Sequence, residues 1–173
     1  MRVDSYLMYL IGKRVAALLV LLTLLLIVPS KAVSQEPPPR PVVATTVQNL
    51  GFGVFYQGLA GGSVTIDASG VRTAGGSVVL LSSGAFSVAT FNVRANPGTV
   101  ISFLKPLSSL TDGSGHTMTL QIDDTSPATP FVTTNPYSVP TPVYMGGILT
   151  VGSPAVNPPG NYSGTFDIIF IQE

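Results

Sequence analysis

From Asn49 onward, apolar residues recur at every second position in short runs, and each run ends in a turn signal. Leu50, Phe52 and Val54 alternate with Gly51, Gly53 and Phe55; Val64, Ile66 and Ala68 alternate with Thr65 and Asp67; Met118, Leu120 and Ile122 alternate with Thr119 and Gln121. A period of two puts one set of side chains on a buried face, which predicts strands. Glycine-rich residues 58–62 close the first run, Ala68-Ser69-Gly70 turns the second, and Gly75-Gly76 predicts a break before the compact apolar run 77–81. Residues 85–94 predict the longest strand, whose apolar phase slips from Phe86 and Val88 to Phe91 and Val93. A slip of one residue within a strand is what a β-bulge produces, so a bulge is expected near Ala89-Thr90.

The same reading continues to the C-terminus. Asn96-Pro97-Gly98 turns the chain into a strand over 99–104, which Pro106 stops, and residues 143–151 return to strand with an interruption at Gly146-Gly147. Residues 123–142 carry five prolines and predict the least regular loop. Pro158-Pro159-Gly160 delivers the chain into a closing strand in which Tyr162, Phe166, Ile168 and Phe170 alternate with polar or outward positions. No run holds a 3.6-residue period long enough for a helix. Eight or nine short strands at this spacing read as an antiparallel sandwich or barrel.

The N-terminus has a different pattern. Arg2, Lys13 and Arg14 precede an apolar stretch over 15–28, and Ala32-Val33-Ser34 supplies small residues at the positions a signal peptidase reads. This predicts a signal peptide over 1–34 and a mature chain starting at Gln35. The apolar stretch is shorter than the roughly 20 residues a spanning helix needs, so contact with a membrane is expected only during export. Residues 35–41 hold four prolines and predict an extended tether. Val42, Val43, Ala44, Thr45, Thr46 and Val47 then form a β-branched segment at the end of that tether. It either pairs with its own domain or is donated to another. The domain proper is expected over 48–173.

Composition narrows the function. Glycine and proline together number 33 of 173 residues, and 9% of residues are charged, against 45% hydrophobic, which fits a turn-rich β-domain and argues against disorder. Half of the eight basic residues fall in the first 34 positions; beyond them, Arg40, Arg72, Arg94 and Lys105 face seven acidic residues. A mature chain with no basic cluster cannot neutralise phosphates, which excludes nucleic acid as a partner class. There is no cysteine, hence no disulfide, thiolate nucleophile or lipid-anchoring cysteine.

Candidate chemistry is sparse. His116 is the only histidine, which removes multi-histidine metal sites and most nucleophilic triads. Neither a G-x-S-x-G elbow nor a phosphate-binding G-x-x-x-x-G-K-[ST] loop occurs. Asp67, Asp112, Asp123 and Asp124 lie at or near turns, where aspartate binds the local backbone. They lack the spacing of a calcium loop. No catalytic, cofactor or metal residue is assigned, and an enzyme is not expected. Phe131, Tyr137 and Tyr144 flank the proline-rich loop and are the candidate ligand residues.

Six motifs taken in order, L-G-F-G (50–53), G-S-V-T-I-D-A-S-G (62–70), R-T-A-G-G (72–76), A-F-S-V (85–88), G-G-I-L-T-V-G (146–152) and G-N-Y-S-G-T-F-D-I-I-F (160–170), resemble the bacterial domain-of-unknown-function family 4402 across about residues 48–171. The resemblance implies an all-β fold, an antiparallel immunoglobulin-like or pilin-like sandwich related to fimbrial subunit and spore-coat U-type proteins, and no defined catalytic residues. The closing strand also resembles the C-terminal motif of chaperone–usher pilins, with Gly160 at the glycine fourteen positions from the end and Tyr162, Phe166, Ile168 and Phe170 as its apolar face. It departs from that motif at Gln172, where pilins carry an aromatic residue, and in lacking their common disulfide.

The resulting expectation is an exported structural domain of the bacterial cell surface, pilin-like or a matrix subunit, placed in the periplasm, at the cell surface or outside the cell. Its partners would be identical or related subunits joined by strand addition, with a periplasmic chaperone during assembly. The rival expectation is a monomeric carbohydrate- or ligand-binding sandwich.

Overall fold

A computed structural model describes residues 40–173, together with Tyr9 and Arg14. The expected signal peptide and most of the proline-rich tether therefore lie outside the described residues. The described domain is an antiparallel β-sandwich of ten strands: β1 (Val43–Gln48), β2 (Phe55–Ile66), β3 (Arg72–Leu80), β4 (Ala89–Arg94), β5 (Val100–Leu104), β6 (Ser108–Thr111), β7 (Thr117–Ser126), β8 (Phe131–Val132), β9 (Thr141–Val151) and β10 (Ile169–Gln172). A seven-stranded sheet runs β1-β4-β9-β2-β3, with β7 also on β9 and β6 beyond β7; a three-stranded sheet runs β10-β5-β8.

Alternation becomes burial. Val64 and Ile66 of β2, Met118, Leu120 and Ile122 of β7, and Val143, Met145, Leu149 and Val151 of β9 face inward against Ile101, Phe103 and Phe131 of the small sheet. Each fully buried aliphatic or aromatic side chain of this kind contributes about 1.5–3 kcal/mol. Phe170 of β10 packs between the sheets, its ring centroid 5.8 Å from those of both Phe91 on β4 and Phe103 on β5.

β9 is the central strand. Its 141–145 half pairs with β4, its 147–151 half pairs with β2, and β7 runs along both halves. The expected interruption at Gly146-Gly147 is this change of partner, and β9 passes through it unbroken. A Cβ on Gly146 would lie 2.7 Å from the carbonyl carbon of Asp67, closer than real Cβ contacts.

Three further expectations take a different form. Gly75-Gly76 does not break β3, because the hairpin absorbs residues 58–61 of β2 opposite this point as a register shift between Gln57 and Gly62. The slip near Ala89-Thr90 is accommodated in the partner: Phe91 pairs with Thr46 and Thr90 with Gln48, so the extra residue is Val47 of β1. The strand count rises to ten because two short strands, β6 and β8, form in stretches with no alternation, while the run at 50–54 stays outside the named strands apart from a bridge between Gly51 and Ser87, and the run at 64–68 supplies only the end of β2.

Candidate functional site

The two sheets do not match in width, and the inner face of the large one is left partly uncovered on one side. There a groove of about 900 Å³ opens between residues 48–57 and residues 158–166. Its floor reaches core residues Met118, Leu120 and Leu149. Leu50, Phe55, Phe91, Leu110, Tyr162 and Phe166, half-buried against the core, form its apolar sides. Gln48, Asn49, Asn161, Ser163 and Thr165 bring polar side chains to it, and no Asp, Glu, Lys or Arg lines it.

One wall is the closing strand expected from the sequence. Tyr162, Phe166, Ile168 and Phe170 turn inward as the alternation requires. Its hydrogen bonding is uneven. Ser163 exchanges two 2.9 Å backbone hydrogen bonds with Thr111 of β6, and residues 169–172 pair with β5. Between these anchors the partner stretch passes from the small sheet to the large one through Lys105-Pro106-Leu107, and proline has no N–H to give. Among the described residues, no backbone hydrogen bond holds residues 164–168. Gly160, the pilin-like glycine, has room to spare: a Cβ there would meet Asp112 Cβ at an ordinary 3.8 Å. The glycine that the packing requires is Gly164, whose Cβ would lie 3.1 Å from Leu110 Cδ2 and closer still to the Ser109 carbonyl oxygen.

The other wall, residues 49–54, is held from behind by an arginine. Arg72 of β3 donates from Nη1 to the Phe52 carbonyl at 3.0 Å and from Nη2 to the Leu81 carbonyl at 2.6 Å, and its guanidinium lies 4.5 Å from the Phe86 ring centroid. It passes over Gly53, whose φ of 70° is in the left-handed region that favours glycine. Gly51 and Ser87 exchange backbone hydrogen bonds of 2.9 and 2.8 Å, and Leu81 N–H donates to Val54 O at 3.0 Å.

Asn157 fixes the approach to the closing strand. It is 2% exposed. Its Oδ1 accepts from Gly152 N–H at 2.6 Å and its Nδ2 donates to Thr117 O at 2.9 Å, while Gln57 Nε2 donates to its carbonyl. Tyr162 Oη donates to Pro158 O at 3.0 Å. Sequence reasoning assigned no role to Asn157, or to Arg72 beyond its place at the head of the R-T-A-G-G motif, because both act through distant carbonyls and amides.

Asp67 and Asp112 serve local turns, and Asp124 bonds a distant one. Asp112 Oδ1 accepts from the Ser114 and His116 amides at 2.8 and 3.2 Å, and Oδ2 lies 2.6 Å from His116 Nδ1. The His116 hydrogen bond, then those amides, hold the Asp112 carboxyl below its ordinary value. Asp67 accepts from Ser69 Oγ at 2.6 Å and from the Ser69 and Val71 amides at 2.9 and 2.8 Å, which lowers its pKa likewise. Asp124 accepts from Ala68 N–H at 2.8 Å. Among the described residues, no group of three or more His, Asp or Glu side chains could hold a metal ion.

The three loop aromatics do not form a platform. Phe131 is 9% exposed, paired opposite Ile101 and part of the core, so its ring cannot meet a ligand. Tyr137 lies beneath Arg40, whose guanidinium is 5.0 Å from its centroid, and its hydroxyl donates to Pro41 O at 3.3 Å. Tyr144 is on β9, opposite Thr90 and Ser126. As for the candidate donor, Val43–Gln48 pairs antiparallel with β4 of its own domain, with all six residues exposed, and Val42 packs half-buried on the core.

A family model described as a domain of unknown function (DUF4402) matches residues 42–171, nearly the whole described domain. No curated protein and no solved structure matches the chain.

Proposed function

Because the chain belongs to the DUF4402 family, whose description assigns no activity, we propose from the site itself that it is a non-enzymatic structural subunit of the bacterial cell surface. It is exported, and it assembles by accepting an extended strand into the groove. The observation that carries this reading is the closing wall: an extended segment, residues 164–168, without backbone partners beside an uncharged groove that reaches the core. A strand laid there would satisfy the free N–H and C=O groups while its alternate side chains fill the apolar floor, which is how β-strand addition combines affinity with selectivity. An open, apolar edge left empty is an aggregation hazard, so an exported protein with one needs an occupant or a chaperone.

The test is assembly. The mature chain should form oligomers that survive sodium dodecyl sulfate at room temperature and dissociate on boiling, and Phe166→Asp, which puts a charge into the groove, should abolish them. A wild-type chain that remains monomeric at all concentrations would overturn the proposal. The alternative, a monomeric module for a neutral glycan, draws support from Tyr56 and Tyr162 at the groove and from its amide side chains. It predicts glycan-array binding that Tyr162→Ala removes, with Tyr137→Ala and Tyr144→Ala as neutral controls.

A further inference from the structure

We infer that the outer face of the small sheet is a docking surface for the same face of a second copy of the chain. The inference goes beyond the groove and does not depend on strand addition. It starts from a contrast between the two sheets. On β7 the alternation is clean: Met118, Leu120 and Ile122 are buried, while Thr117, Thr119 and Gln121 are exposed. Thr150 of β9 pairs with Thr119 and extends that hydroxyl-bearing outer face. The small sheet has no such polar face. β10 reads IFIQ, β5 VISFL and β8 FV, near-continuous apolar runs of the kind found in strands covered on both sides.

The register gathers the outward residues into one patch. Leu104 lies opposite Ile169, Ser102 opposite Ile171 and Val100 opposite Val132, while Phe170, Phe103, Ile101 and Phe131 pack into the core. Leu104, Val132 and Ile169 are 56%, 55% and 54% exposed, which on adjoining strands makes a contiguous aliphatic surface rather than scattered residues. Nothing charged interrupts it. Lys105 follows Leu104, but its ammonium donates to Asp123 O at 2.7 Å, toward β7 of the large sheet. Asp167 and Glu173 share the phase of Ile169 and Ile171 and stand at the two ends of the patch.

The partner follows from chemistry and size. Covering this patch takes an aliphatic, uncharged face, and the hydroxyl-bearing face of the large sheet cannot supply one. The small sheet can, and every copy has it, so the contact is isologous. Three strands about 4.8 Å apart, with five residues at about 3.3 Å each, give a footprint on the order of 200 Å². A stable dimer buries roughly 800 Å² on each partner. The face therefore pairs weakly between free molecules and firmly only where many copies are held in line, each contact raising the effective concentration of the next. The acids set the sign of the salt effect. Copies that meet here carry like charge at the rim, so screening strengthens the contact, whereas a cationic partner seated between Asp167 and Glu173 would be released by salt.

The test uses the mature chain, whose lack of cysteine allows single-cysteine variants. Ser102→Cys at the centre of the patch, treated with a short bis-maleimide at high protein concentration, should give a covalent dimer, and more of it in high salt than in low. Thr119→Cys, on the outer face of the large sheet, should give none. Adding Leu104→Asp to Ser102→Cys should lower the dimer yield by about tenfold or more, because an unpaired carboxylate would be buried in an apolar contact. Circular dichroism checks that this variant folds, and Leu104→Thr, a strand-compatible change, should lower the yield by a smaller factor. Equal yields from Ser102→Cys and Thr119→Cys, a yield unmoved by Leu104→Asp, or a yield that falls with salt would overturn the inference. Flotation of the wild-type chain with phosphatidylcholine vesicles, lost in Leu104→Asp and without any Ser102→Cys dimer, would overturn it by assigning the face to lipid. The groove is read separately: oligomers that resist sodium dodecyl sulfate and persist in Leu104→Asp belong to strand addition, and a chain that forms none can still give the Ser102→Cys dimer.

Discussion

Arg72 gives the sharpest test of how the groove is built. One guanidinium bonds two carbonyls, Phe52 O and Leu81 O, that belong to different segments. Hydrogen bonds to a charged group contribute about 1.5–3 kcal/mol each, and a cation–π contact at a partly exposed site about 0.5–1 kcal/mol. Both bonds share one ion and solvent can reach the carbonyls once the side chain is gone, so the sum is discounted to about 2–4 kcal/mol for Arg72→Ala. For a domain of this size, 1 kcal/mol moves the melting midpoint by roughly 3–5 °C, giving a fall of about 6–20 °C. Urea unfolding measures the free energy, and amide hydrogen exchange locates it: residues 51–54 and 81–87 should lose protection while β7 and β9 keep theirs. Arg72→Lys should recover little, because an ammonium cannot span two carbonyls as a fork. A loss under about 0.5 kcal/mol, or equal loss of protection across the sandwich, would refute the claim that Arg72 secures this wall.

Asn157→Ala should cost about 1–3 kcal/mol in urea unfolding, since it leaves the part-buried Gly152 N–H and Thr117 carbonyl without their partner. Gly146→Ala should prevent folding or cost more than about 3 kcal/mol, read by circular dichroism and urea, because the new methyl meets the fixed backbone of Ile66 and Asp67. Acid should unfold the domain in part through Asp112 and Asp67: both folded-state values lie below the ordinary 3.8, so their contribution is complete above that value and lost as pH falls through the lowered ones. Asp112→Asn should therefore flatten the decline in melting temperature between about pH 4 and pH 2.

How much of this was legible in the chain depended on whether the cause was local. Val64, Ile66, Met118, Leu120, Ile122 and Phe166 declare their burial through a period of two that any reader can count. The β-strand at 108–111 carries no such alternation; it forms because β7 offers it an edge, with Leu110 opposite Met118. The loop aromatics misled for a related reason. Their position in a proline-rich stretch suggested exposure, yet Phe131 finds Ile101 across a two-residue pairing and is drawn into the core. Arg72 and Asn157 are silent in sequence because their partners lie at separations set by topology: 20 and 9 residues for Arg72, 40 residues for the Asn157–Thr117 bond.

The groove itself follows from an imbalance between the layers. β5 and β6 belong to one nearly continuous stretch that begins in the small sheet and ends in the large one, and the closing strand follows it across, bonded at Ser163 and again from Ile169. Pro106 in that stretch cannot donate, and the chain must change sheets there, so residues 164–168 run past it without a backbone hydrogen bond. Three strands then cover the inner face of seven. A fourth strand beside β10 would complete the cover and bury the Leu50, Phe55 and Phe166 faces together.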